Sequence, residues 1–257
     1  MYTNIKEKLQ AFYFSRPAPW GQDPHNPMLD TITDAAEKTN ETSAYKLKAI
    51  QYKTIAEIFQ PKIFACVPFY YELATKNSYG DGSPFQPGKH AGGWLTYRNY
   101  HLFRDENPEV FDQFKQQQSK HFHFTCGPYV DLVHYCFSYT NVVKNGLKGI
   151  WEQAVSQLPN CKTQKEKEFI ECGIEGLLAV KRIAERFAEE AKNQLQSIPN
   201  LTQDERDNLE WISRTATRVP WEAPQTFHEV LNCLAFFREV AGSIDGIGQN
   251  AFGRPDV

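Results

Sequence analysis

The chain has 257 residues, 41% of them hydrophobic and 23% charged, with a formal net charge of −3, enough for one large domain or two small ones around an ordinary core. This slightly acidic balance leaves no basic footprint for nucleic acid. The longest apolar run, residues 63–71, is broken by Pro68 and is too short to cross a bilayer.

The N-terminal Met-Tyr-Thr-Asn-Ile-Lys-Glu-Lys carries no hydrophobic signal core. Six cysteines (Cys66, Cys126, Cys136, Cys161, Cys172 and Cys233) are scattered without the density of a secreted disulfide framework. Reduced thiols and a cytoplasmic location follow as expectations.

In chain order, residues 17–27 read as a proline-rich loop. Ser43 can cap a helix through Phe59, with Leu47, Ile50, Ile55 and Ile58 inward and Pro61 ending it. Residues 79–100 read as a long aromatic, glycine-rich loop holding Lys89-His90 and Tyr97-Arg98-Asn99-Tyr100, where an arginine could grip a carboxylate but a surface role is the simpler reading. Asn107-Pro108-Glu109 opens a short helix, since proline suits the first turn. Thr140 or Asn141 begins another, through about Leu158.

Three capping boxes follow, Thr163-x-x-Glu166, Thr202-x-x-Glu205 and Thr226-x-x-Glu229, each placing a hydroxyl and a returning carboxylate where free N–H groups need partners. The first opens a stripe of Phe169, Ile170, Ile174, Leu177, Leu178, Ile183, Phe187, Ala191 and Leu195, a long amphipathic helix to about Gln196. The second carries Leu209 and Ile212 as far as Pro220. The third carries Phe227, Val230, Leu231, Leu234, Phe237 and Val240 and should stop at Gly242. Without sustained alternation, repeats or linkers, residues 1–257 read as one mostly helical unit.

Two constellations suggest chemistry and fail on context. His121, His123, Cys126, His134 and Cys136 offer zinc-type ligands, but aromatic residues alternate through them and the spacing fits no standard module, so no metal is expected. Gly246-Ile-Gly-Gln-Asn-Ala251 matches a dinucleotide fingerprint in letters alone, because a helix rather than a strand precedes it and no helix follows.

Three stretches carry a resemblance. Arg218-Val-Pro-Trp-Glu-Ala-Pro-Gln-Thr-Phe-His-Glu-Val230, running on to Gly253-Arg-Pro-Asp256, is similar to the Val-Pro-x-x-Pro-Ala-x-Thr-Phe-x-Glu-Ala helix and Gly-Arg-x-Asp-Gln segment of the glycyl radical enzymes, the pyruvate formate-lyase-like superfamily. Residues 134–150 resemble its Gly-His-x-x-x-Asp-Tyr-x-x-Val-Leu-x-x-Gly-Leu-x-Gly-Ile, with His134, Tyr139, Val142, Gly146, Leu147 and Gly149 in register. Ala184-Glu-Arg-Phe-Ala188 resembles its Ala-x-Arg-x-Ala motif.

The resemblance implies a mainly α chain, the N-terminal helical layer of a glycyl-radical-enzyme α/β barrel, truncated before the catalytic half. In the intact parent a glycyl radical near the C-terminus, installed by a radical S-adenosylmethionine activating enzyme, is passed to a cysteine whose thiyl attacks a small-molecule substrate anaerobically, in an enzyme implied to be a homodimer. Neither the Arg-Val-Ser-Gly-Tyr segment nor the Cys-x-Glu loop occurs in these 257 residues, so the chain alone is expected to be inactive, with no catalytic residue of its own.

The resemblance also names the substrate-facing candidates. They are His134, at a position that lines the cavity in several members, and Gln249 and Asn250, in the segment that approaches substrate. Val133 and Ser138 depart from the usual glycine and aspartate, and Gly248, Gln249 and Ala251 replace a histidine and two serines, which argues against a standard diol pocket. The other reading of the chain is a stand-alone helical binding or regulatory protein that has lost the catalytic half.

Overall fold

A computed structural model describes residues 6–7, 27–59, 61, 63–69, 94–120 and 138–244. Eight α-helices occur among them: α1 (Pro27–Glu37), α2 (Ala44–Ile58), α3 (Trp94–Glu106), α4 (Pro108–Lys120), α5 (Tyr139–Gln157), α6 (Gln164–Ser197), α7 (Gln203–Arg218) and α8 (Phe227–Ile244). A 3₁₀ turn at Leu158–Asn160 follows α5. No strand is present among the described residues.

The 34-residue α6 is the axis on which α2, α5 and α7 pack. Its capping box forms as the sequence predicts: the Thr163 hydroxyl accepts from the Glu166 N–H at 3.1 Å and the Glu166 carboxylate accepts from the Thr163 N–H at 3.3 Å. The equivalent boxes close at Thr202/Glu205 and Thr226/Glu229. Ser43 behaves differently, because its hydroxyl turns to the Glu168 carboxylate of α6 instead of capping α2.

One core joins these elements. Ile32 of α1, Leu47 and Ile55 of α2, Phe59, Ile183 and Phe187 of α6, Leu209 and Ile212 of α7 and Phe236 of α8 are all buried in it. Phe187 is fully enclosed, with its ring 5.7 Å from Phe59 and 6.3 Å from Phe236. Arg186, beside it, lies 4.8 Å over the Phe59 ring and donates to the carbonyls of Ala56 and Glu57 at 3.2 and 2.6 Å. It thereby satisfies orphan carbonyls at the C-terminal end of α2.

The apolar stripes need correction at particular positions. Phe169, in the first two turns of α6, is 59% exposed and meets Tyr45 edge-on at 5.3 Å, and Leu178, in the middle of the helix beside buried Ala179, is 42% exposed. On α8 Leu234 and Val240 are buried as expected, together with Cys233 and Phe236, whereas Phe227 and Leu231 are exposed.

The loops also need correction. Residues 94–100 belong to α3, anchored by a buried Trp94 whose indole N–H donates to Thr33 at 2.9 Å. Pro27 opens α1 rather than closing a loop. Helix α8 runs two residues past Gly242, the helical cost of one glycine being only about 1 kcal/mol.

Candidate functional site

Gly146 interrupts α5 with φ 64° and ψ 174°, a conformation essentially reserved for glycine. The break turns the N–H groups of Leu147 and Lys148 outward, where they donate to the carbonyls of Pro220 and Trp221 at 2.9 and 2.8 Å. A Cβ on Gly146 would fall 2.6 Å from Ala223 N, the Glu222 carbonyl carbon and Trp221 O. The glycine is therefore required twice, for its backbone angle and for the close approach of the loop.

That loop, between α7 and α8, is held from its other side by Arg218 and Glu229. The Glu229 carboxylate accepts from the Gln225 N–H at 2.6 Å, from the Thr226 N–H at 3.2 Å and from the Arg218 guanidinium, which also donates to the Ala223 carbonyl at 3.1 Å. Burial pushes the Glu229 carboxyl up, but the Arg218 hydrogen bond and the backbone donors outweigh it and hold the group below its ordinary value. Trp221 rests 6.1 Å from Trp151 and under Lys181, whose ammonium is 4.8 Å from its ring. Val142, Val219 and Cys233 pack together beneath.

Sequence reasoning missed a second cluster, on α8. The His228 ring stacks on Phe69 at 4.8 Å and meets the edge of Trp211 at 4.1 Å, with its Nε2 buried and unpartnered. One turn on, Asn232 is fully buried and neither amide atom has a hydrogen-bond partner. The signal available was two polar residues four apart, His228 and Asn232, beside the apolar positions of the helix. Beside them the Cys233 thiol is pushed up to about 12 by burial, which makes it an inert packing group.

The substrate-facing candidates His134, Gln249 and Asn250 lie outside the described residues, as do Lys89, His90 and the zinc-type group from His121 to Cys136. Arg98 is half-buried in α3. Among the described residues no group of three or more potential metal ligands comes together and no helix is long and apolar enough to cross a membrane. A cavity of about 330 Å³ opens between residues 63–66 and the end of α6, lined by Ile63, Phe64, Cys66, Gln194, Leu201 and Glu205.

The glycine kink thus joins two of the stretches that carried the family resemblance, and the profile of the pyruvate formate lyase-like family matches residues 93–256, which contain both. The chain belongs to the pyruvate formate lyase-like family. No curated protein matches it by sequence.

Among solved structures, the chain is similar to one described for 1,2-propanediol dehydration in Roseburia inulinivorans, at a TM-score of 0.64 and 18% identity over 84% of this chain and 30% of that one. The glycerol-bound B12-independent glycerol dehydratase of Clostridium butyricum follows at 0.61 and 15%, over 84% and 31%. A glycyl radical enzyme of Archaeoglobus fulgidus gives 0.56 and 13%, over 84% and 32%. The chain therefore spans about 30% of the length of these solved structures, and its helices share the fold of the portion it matches.

Proposed function

We propose that residues 1–257 are the N-terminal helical part of a glycyl radical enzyme whose intact form cleaves or rearranges a bond of a small metabolite by thiyl-radical chemistry, under anaerobic conditions in the cytoplasm. The observation that carries this reading is the family match together with the lock at Gly146, which gives the shared glycine and the shared Val-Pro loop a common physical reason. On this reading the radical-bearing glycine and the reactive cysteine belong to polypeptide outside the chain, the activating enzyme is the partner that uses S-adenosylmethionine, and the parent is a homodimer. The radical supplies hydrogen-atom abstraction; the residues of this chain bind and orient.

Within that reading His134, Gln249 and Asn250 face the substrate. Imidazole and amide groups can donate to or accept from a hydroxyl or carboxylate. Two of the similar structures concern dehydration of diols or glycerol, yet Gly248, Gln249 and Ala251 stand where a histidine and two serines are usual. The reading therefore favours a polar substrate other than a simple diol, and lyase or formate acetyltransferase-like chemistry stays within it.

The deciding observation is the encoding DNA beyond Val257. An open frame leading to Cys-x-Glu and Arg-Val-Ser-Gly-Tyr supports the enzyme; an immediate stop codon supports the stand-alone helical protein. In the intact enzyme His134→Ala should lower turnover or substrate affinity with an unchanged glycyl radical yield. Unaltered kinetics would return His134 to a structural role.

A further inference from the structure

The 257 residues contain one Asn-Gly pair, Asn145-Gly146, and it stands at the break in α5. Such a pair can react with itself, because glycine places no side chain in the way of its own nitrogen. The Gly146 nitrogen attacks Cγ of Asn145: a C–N bond forms, the side-chain amide leaves as ammonia carrying the proton of the Gly146 N–H, and a five-membered succinimide ring remains. Water then opens the ring, at Cγ to give aspartate or at the main-chain carbonyl to give isoaspartate. Water is the sole co-reactant.

The closed lock opposes the first step. Asn145 is exposed, yet Gly146 is the residue that departs from helical angles inside α5, so Asn145 itself keeps a helical ψ. Ring closure needs the Gly146 nitrogen eclipsed with Cβ of Asn145, a large turn about the Asn145 Cα–C bond. That turn swings the following chain and breaks the hydrogen bonds from Leu147 and Lys148 to Pro220 and Trp221. The side chain is also tied back, its Nδ2 donating to Asn141 Oδ1 at 2.6 Å.

We propose that Asn145 is a self-modification site, held unreactive while α5 is locked to the loop after α7 and deamidated once the lock opens. The isoaspartyl product makes the modification one-way. It adds a carbon atom to the main chain immediately before Gly146, so Leu147 and Lys148 fall out of register with their carbonyl partners and the open form is trapped. The site needs nothing outside the 257-residue chain and holds whether or not the enzyme reading does.

The test incubates the 257-residue chain in mildly alkaline buffer, native and in guanidinium chloride. The tryptic peptide Asn145-Gly-Leu-Lys148 is followed by mass spectrometry, with its aspartyl and isoaspartyl forms separated by chromatography. The native chain should deamidate there at least about tenfold more slowly than the unfolded one, the factor reporting the cost of opening. Equal rates overturn the proposal. Arg218→Ala and the milder Arg218→Lys loosen the far side of the loop without touching Asn145, so they should speed the native reaction and leave the unfolded rate unchanged. Ile55→Val, which weakens the core at α2, should not speed it. No acceleration by either Arg218 variant, or an equal acceleration by Ile55→Val, overturns the lock as the barrier. Asn145→Gln, whose ring would have six members, should stay unmodified, and fast deamidation there would overturn the cyclic route.

Discussion

Asn232 is the residue whose surroundings make the sharpest demand. A fully buried amide with neither atom bonded costs about 1–3 kcal/mol relative to a satisfied one, and leucine repeats its branched outline with two somewhat larger methyl groups. Asn232→Leu should therefore stabilise the 257-residue chain by about 1 kcal/mol in urea unfolding; a loss of stability would show that bound water already satisfies the amide. Gly146→Ala acts in the opposite sense. It adds backbone strain of about 1–3 kcal/mol to a methyl group 2.6 Å from the loop backbone, so its unfolding midpoint should fall clearly while Gly173→Ala, in open space on α6, should be neutral or stabilising. Glu229 predicts a pH effect. Its carboxyl sits below the ordinary value of 4.5 when folded, so its stabilisation is fully present above about 4.5 and is lost as pH falls through the folded value. Thermal melts of Glu229→Gln should show a shallower acid loss than the parent, and parallel acid limbs would remove Glu229 from the account.

At the scale of elements, the α6–α7–α8 core should be the strongest part of the chain. Phe187→Ala should cost about 3–5 kcal/mol, because the ring is enclosed between Phe59 and Phe236; a mutant indistinguishable from the parent in denaturant would contradict that packing. These three helices were legible in the sequence because local chemistry announces them. A threonine and a glutamate three residues apart define each start without tertiary help, and the Leu209/Ile212 and Ile183/Phe187 spacings point to the faces that are in fact buried. What the sequence hid depended on neighbours. The period of α8 fits two apolar faces, and only the position of α6 decides that Phe236 goes inward and Phe227 does not. Helix α3 was obscured because its polar composition reads as loop until Trp94 is seen bonded to Thr33. Gly146 stood in a recognised register, but the reason for it lies more than 70 residues away, in the loop after α7. Of the substrate-facing candidates, His134, Gln249 and Asn250 rest on the resemblance, since the described residues stop short of all three.

For the molecule as a whole, composition and fold agree on a helical body pinned by the lock at Gly146, and the 257 residues contain neither an Arg-Val-Ser-Gly-Tyr nor a Cys-x-Glu stretch. The 257-residue chain, treated anaerobically with an activating enzyme, should give no glycyl doublet in electron paramagnetic resonance, because it lacks the Arg-Val-Ser-Gly-Tyr segment. A doublet from this chain would sink the assignment of the radical to other polypeptide. The lock at Gly146 also carries a consequence for the order in which the body is assembled. Leu147 and Lys148 give up bonds within their own helix for partners at Pro220 and Trp221, and all of α6 and α7 must be synthesised before those partners exist. Until the ribosome has delivered them, the first helix of this half has a break with nothing to fill it. Nascent chains halted before residue 220 should therefore be cut by protease at the Asn145–Lys148 stretch, and chains halted well after it should be protected there, with the junction closing late because loop closure over such a separation is slow.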